Sequence, residues 1–144
     1  MIEEELTRKI IKLFYRVYNE LGHGFIESIY HNAFLIELAK EGIPAETKKK
    51  IVVYYLQNAV GTFEADLVID GKVILELKAK ERLHSTHETQ LINYLRATDI
   101  EVGLLLNFGK NPEFKRKVFS NGNKRHEPCP STELGSDPFL NDPR

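Results

Sequence analysis

Two apolar runs of β-type composition, residues 62–69 and 72–79, flank the dipeptide Asp70-Gly71, which suits a hairpin turn. Besides Glu64 and Lys72 near the starts of the runs, Asp66, Glu76 and Lys78 put charge into this pair. A charge inside a buried strand is costly unless it is paired or bound to a cation. The register of the hairpin decides whether these three can meet. A two-residue loop pairs residues whose numbers sum to an odd value, which sends Asp66 and Glu76 to opposite faces. A three-residue loop with Gly71 in the left-handed conformation pairs even sums. Asp66, Val68, Ile74, Glu76 and Lys78 then share one face, while Leu67, Ile69, Val73, Leu75 and Leu77 fill the other without a charge. That clean partition selects the three-residue loop. It sets two carboxylates and a lysine side by side, with Glu64 on their face but outside the immediate cluster.

Two adjacent ionised carboxylates repel, so the arrangement asks for a cation between them. Oxygen donors with room for water suit Mg²⁺ or Mn²⁺ better than zinc. Cys129 is the only thiol, which excludes a multi-cysteine zinc site and an internal disulfide framework. An ammonium beside such a cation can orient water and stabilise charge developing on a phosphorane. Aspartate, glutamate and lysine in this setting point to metal-assisted phosphodiester hydrolysis. A phosphodiesterase of small nucleotides has less support, because the chain contains no Gly-rich phosphate loop.

The rest of the chain supplies a frame for that hairpin. Leu6, Ile10, Leu13, Phe14, Val17 and Leu21 recur at helical steps and predict a helix over 3–21, with Glu3, Glu4 and Glu5 at its positive end. A second helix is expected over 26–40, a strand over 50–56, and a turn at Gln57-Asn58-Ala59. After the charged hairpin, residues 85–97 return to helical spacing, with Ser85 or Thr86 as N-cap. Residues 102–106 read as a buried strand and 114–119 as an edge strand. The expected fold is α/β, with a mixed β-sheet flanked by helices in the order α-α-β-β-β-α-β. The helix before the last core strand carries a right-handed crossover to a parallel neighbour. Residues 1–125 form one domain, and the proline-rich residues 126–144 are expected to be a tail without a core.

Twenty basic and 21 acidic side chains nearly cancel, which excludes a bulk polycation coating nucleic acid but not a local basic patch. The sequence MIEEELTRKI lacks the basic region and apolar run of a signal peptide, and no apolar stretch nears bilayer length. The expectation is a cytoplasmic, soluble chain with no membrane partner. Its oligomeric state is left open, a homodimer included.

Asp66 followed by Glu76-Leu77-Lys78 resembles the PD-(D/E)XK nuclease signature, with Ala65 where that signature often has proline. Gly24-Phe25-Ile26-Glu27-Ser28-Ile29-Tyr30 fits the motif that names the GxxExxY proteins, which are similar to those nucleases. The resemblance spans residues 3–120. It implies a restriction-endonuclease-like core and a divalent-metal-dependent nuclease acting on DNA or RNA. The alternative is a non-catalytic nucleic-acid-binding or assembly module on the same fold. The resemblance gives Asp66 and Glu76 to the metal, with Glu27 and the Leu77 carbonyl as further ligands. Lys78 positions or activates water. Gln90 and Tyr94 resemble the extra motif of RecB-like nucleases, in which the glutamine lies near the active site. Tyr30 is expected in the core or behind the site, or at the substrate. His87 is expected at a substrate phosphate. The basic runs Lys48-Lys49-Lys50 and Lys115-Arg116-Lys117 are candidates to position a nucleic-acid backbone.

Overall fold

The computed structural model describes residues 2–124, so the expected domain boundary after residue 125 and the tail at 126–144 lie outside the described residues. Helix α1 (Glu4–Leu21) buries Ile10, Leu13, Phe14 and Val17, and Glu4 and Glu5 lie in its first turn. Helix α2 (Glu27–Lys40) buries Tyr30, Phe34 and Leu38, spaced one turn apart along one face. Strands β1 (Ala45–Tyr55), β2 (Asn58–Ile69) and β3 (Val73–Lys78) follow, then α3 (Ser85–Arg96), β4 (Val102–Phe108) and β5 (Pro112–Val118).

The five strands lie in the order β1-β2-β3-β4-β5. All neighbours are antiparallel except β3 and β4, which are parallel and joined through α3. The expected mixed sheet and parallel crossover are therefore present, with β5 as an edge strand beside β4. All seven residues of β4 are buried, as befits a strand covered on both faces.

Two apolar layers hold the sheet. Leu67, Ile69, Val73, Leu75, Leu77, Leu104, Leu106 and Phe108 pack beneath α1 and α2. Val68, Ile74 and Leu105 pack on the other face with Leu91 and Leu95 of α3. The alternation of β3 thus matches the partition expected from the sequence. The hairpin loop also takes the expected length. Ile69 pairs with Val73, leaving three loop residues, and Asp70 and Gly71 carry φ of 52° and 65°. The Lys72 N–H donates to the Ile69 carbonyl at 2.9 Å, closing the turn. Gly71 suits this position because a side chain is strained at positive φ.

Strands β1 and β2 are longer than expected, starting at Ala45 and Asn58 rather than at 50 and 62. Their turn is Leu56-Gln57, both at positive φ, with Tyr55 paired to Asn58. Polar and small residues at the strand ends hide this extension from a pattern of β-branched residues. Among the described residues no helix is long and apolar enough to cross a membrane.

Candidate active site

The β2–β3 ladder runs from Ile69–Val73 to Leu67–Leu75 and then stops. The next residues in register are Asp66 and Glu76, and side chains take over there from backbone pairing. The Leu77 N–H donates to Asp66 Oδ2 at 2.8 Å, and the Asp66 N–H donates to Glu76 Oε1 at 3.3 Å. The two carboxyls are also hydrogen-bonded to each other. Glu76 is only 6% exposed. Burial, followed by the charge and hydrogen bond of Asp66, pushes its carboxyl up from 4.5 to about 9, against the opposing pull of the Asp66 N–H and Lys78. At that value Glu76 keeps its proton at neutral pH.

A break in strand alternation coincides with Asp66. Phe63, Ala65 and Val68 all pack in the α3 layer, whereas Leu67 packs beneath the other helices. The face of β2 therefore turns over at Asp66. Strand β1 turns over at the facing position. Ala45 packs in the α1–α2 layer, while Ile51 and Val53 pack in the α3 layer. Register is kept across the break, with Thr47 paired to Leu67 and Lys49 to Ala65. Lys48 stands between these pairs, opposite Asp66, with φ of +49°. A lysine in this region costs on the order of 1–2 kcal/mol.

Helix α2 approaches the same point. A cavity of about 480 Å³ is bounded by Glu27, Ser28, His31 and Asn32 of the helix and by Thr47, Lys48, Asp66 and Leu77 of the sheet. The entry to α2 is fixed by Tyr30. Its ring is fully buried and stacks on Phe108 with centroids 4.1 Å apart. Its hydroxyl donates to the Gly22 carbonyl at 2.8 Å and accepts the Phe25 N–H at 3.2 Å. Tyr30 is therefore a core residue that pins the turn before Glu27. Full burial removes it from the substrate-facing residues, correcting that part of the expectation. Glu27 is exposed at the first position of the helix. Among the described residues no three His, Cys, Asp or Glu side chains gather closely enough to hold one ion, so Glu27 borders the Asp66–Glu76 pair without joining it.

Lys78 follows Glu76 by one pleat and is half-buried. Its charge lowers the pKa of both Glu76 and His87. Burial first, then the charges of Lys78, His84 and Lys80, lower the pKa of His87, with Glu27 opposing them. The helix starts at Ser85, so His84 is the N-cap, in place of Ser85 or Thr86. The His84 N–H donates to His87 Nδ1 at 3.2 Å, so the neutral ring carries its proton on Nε2. Tyr94 stacks on Phe63 at 3.8 Å, and burial together with Glu76 and Asp66 pushes its hydroxyl up to about 12. Gln90 is exposed one turn before it.

The second basic run does not act as one patch. Alternation along β5 sends Lys117 to α3, where Nζ meets Glu88 Oε1 at 2.7 Å, while Arg116 donates to the Ile2 carbonyl near α1. Lys115 is exposed.

Sequence reasoning did not single out three residues around the site. His31 and Thr47 face each other across the cavity, Nε2 to Oγ1 at 2.8 Å. The fully buried Asn107, in register with Lys78, accepts the Lys80 N–H at 2.9 Å and donates to the Lys80 carbonyl at 3.0 Å. Gly109 lets the Lys80 backbone come this close, since a Cβ there would lie 2.6 Å from the Lys80 carbonyl oxygen. The end of β3 that carries Lys78 is thus clamped onto β4. His31 had a readable signal in its one-turn spacing from Glu27. Asn107 could have been read as the one amide in an apolar strand.

The donor set suits a hard divalent cation. Glu76 Oε1 meets the Asp66 backbone beside the Asp66 carboxyl, and a divalent cation would neutralise the repulsion that raises the Glu76 pKa. No curated protein and no solved structure gives a match to the chain. A family model described as the PD-(D/E)XK nuclease superfamily does match, over residues 4–117. That span contains all five strands except the last residue of β5, together with the three helices and the carboxylate pair, and its α/β architecture is consistent with a restriction-endonuclease-like fold. The chain belongs to the PD-(D/E)XK nuclease superfamily.

Proposed function

We propose that the protein is a cytoplasmic, divalent-metal-dependent nuclease that hydrolyses phosphodiester bonds in DNA or RNA. The observation that carries this reading is the Asp66–Glu76 pair, in contact at the point where β2 and β3 part, with Lys78 on the Glu76 face. Nothing in the apolar packing of the sheet calls for these three charges. Asp66 and Glu76 would hold Mg²⁺ or Mn²⁺, with the Leu77 carbonyl as an additional donor and Glu27, which only borders the pair, as a ligand that the bound ion would have to draw in. A bound divalent cation supplies Lewis-acid polarisation of the phosphoryl oxygens and lowers the pKa of attacking water.

The chain's own groups do the rest. Lys78 orients the water and offsets charge developing on the phosphate. His87 offers Nε2 to a phosphate oxygen. Tyr94 of α3, whose hydroxyl feels the charges of Glu76 and Asp66, would back the carboxylates, and Gln90 one turn before it would help orient the site. Lys115 and its neighbours Arg116 and Lys117 contribute weakly at most, because two of the three already have partners.

The test is a cleavage screen on single- and double-stranded DNA and RNA, with Mg²⁺, Mn²⁺ or EDTA, for wild type and Lys78→Ala. Metal-dependent cutting that disappears in the variant supports the nuclease. Nucleic-acid binding without cleavage under any of these conditions would replace it with a non-catalytic binding module.

A further inference from the structure

The cavity between α2 and the break in the β1–β2 pair has donors that the proposed hydrolysis does not use. Ser28 and Asn32 lie one helical turn apart, with His31 between them, and Thr47 and Lys48 come from the sheet. The His31–Thr47 bond ties the two walls together. The left-handed backbone of Lys48 is the least expected feature. Glycine or asparagine ordinarily occupies such a position, and a strained residue persists where its placement matters. Here the strain holds a lysine opposite Asp66 and beside His31, whose pKa its charge helps to lower after burial.

We infer that this cavity is a phosphate subsite, which takes a backbone phosphodiester of the nucleic acid next to the one being cut. Lys48 is its charged anchor, and Ser28, Asn32 and His31 are its hydrogen-bonding wall. Glu27 and Asp66, which also border the cavity, are among the groups proposed to hold the cation, whose charge would offset theirs. The inference rests on the nuclease reading for its substrate class. The subsite contacts substrate away from the reacting bond, so it contributes to binding before and during the chemical step alike.

Lys48→Gly and Lys48→Arg separate this role from a structural one. Glycine relieves the positive φ but removes the charge, whereas arginine keeps the charge. Binding of short fluorescein-labelled single-stranded and duplex oligonucleotides is followed by anisotropy in Ca²⁺ over a KCl series, and thermal melting is recorded for each protein. The expected result for Lys48→Gly is a melting temperature no lower than wild type, several-fold weaker binding, and a log K against log [KCl] slope shallower by about 0.7 for single strands or 0.9 for duplex. Lys48→Arg keeps the wild-type slope. Inorganic phosphate should also shift the His31 ring resonances of wild type and leave those of Lys48→Gly unmoved. A Lys48→Gly protein that binds with wild-type affinity and slope overturns the subsite, even if wild type cuts nucleic acid. A Lys48-dependent slope in a protein that cuts nothing keeps the subsite and removes the nuclease.

Discussion

Replacing Glu76 by glutamine isolates the electrostatics of the buried pair. In the metal-free protein the Glu76 carboxyl is raised from 4.5 to about 9, chiefly by burial and by Asp66. Between those values the folded state holds a proton that the unfolded chain has released. Stability is then full below pH 4.5 and is lost as pH rises toward 9. One proton corresponds to a slope of about 1.4 kcal/mol per pH unit. Glutamine keeps a donor for Asp66 and cannot ionise, so Glu76→Gln should lack this slope.

The difference between the two proteins removes the titrating groups on which Glu76 does not act, including the lowered histidines His31 and His87. Thermal melts in EDTA at pH 6.5 and 8.5 should show Glu76→Gln gaining roughly 2.7 kcal/mol on wild type across the interval. At about 3 °C per kcal/mol this is a relative shift on the order of 8 °C. Mg²⁺ or Mn²⁺ should stabilise wild type more at pH 8.5 than at 6.5, because the ion displaces the Glu76 proton. Parallel melting curves for the two proteins in EDTA across that range would refute the proton held by Glu76.

Lys78→Ala should leave the melting temperature nearly unchanged and slow cleavage roughly 10²-fold or more in a steady-state assay, the loss expected for a positioned acid–base group. Tyr30→Phe removes the hydroxyl that serves both Gly22 and Phe25 and should cost about 1–3 kcal/mol in urea denaturation. Metal affinity should fall in that variant, since the turn that presents Glu27 loosens; unchanged affinity would remove Glu27 from the ligand set. Asn107→Ala strands the Lys80 N–H and carbonyl and should cost about 1–3 kcal/mol, with kcat reduced more than KM is raised. An Asn107→Ala protein with wild-type kcat would show that the β3 clamp does not position Lys78.

The parts legible in the sequence are those dictated by side-chain parity. Five apolar residues on one face and three charges on the other left one hairpin loop compatible with burial, and the observed pairing of Leu67 with Leu75 has the even sum that loop requires. Helix α1 was readable because its buried residues repeat at one turn, and α2 because Gly42 and Pro44 mark where it ends. Parity also carries information that a motif does not use. The run Lys115-Arg116-Lys117 must divide between two faces in any strand, and in β5 it does. The start of β1 was not legible, because Glu46, Thr47 and the three lysines after them lack an apolar alternation. The role of Asn107 depends on the backbone of Lys80, far away in sequence, and that of Tyr30 on the turn at Gly22 and Phe25 and on the ring of Phe108, none of which a periodic pattern encodes.

The break at Lys48 and Asp66 shows why a site of this kind sits where it does. A strand pair that keeps one face buried along its whole length can only send a charge into the apolar layers or out to solvent. A pair whose faces turn over has one position at which neither face is committed. Asp66 occupies that position in β2, its carboxylate takes up the Leu77 N–H that β2 no longer pairs, and Glu76 lies across from it. The loss of β2–β3 pairing beyond Leu67 is thus compensated by the same side chain that would hold the cation. Lys48 occupies the matching position in β1 and carries the backbone strain. Relieving that strain with glycine should stabilise the fold and weaken the hold on nucleic acid. That opposition is expected wherever a strained residue is retained for what its side chain does.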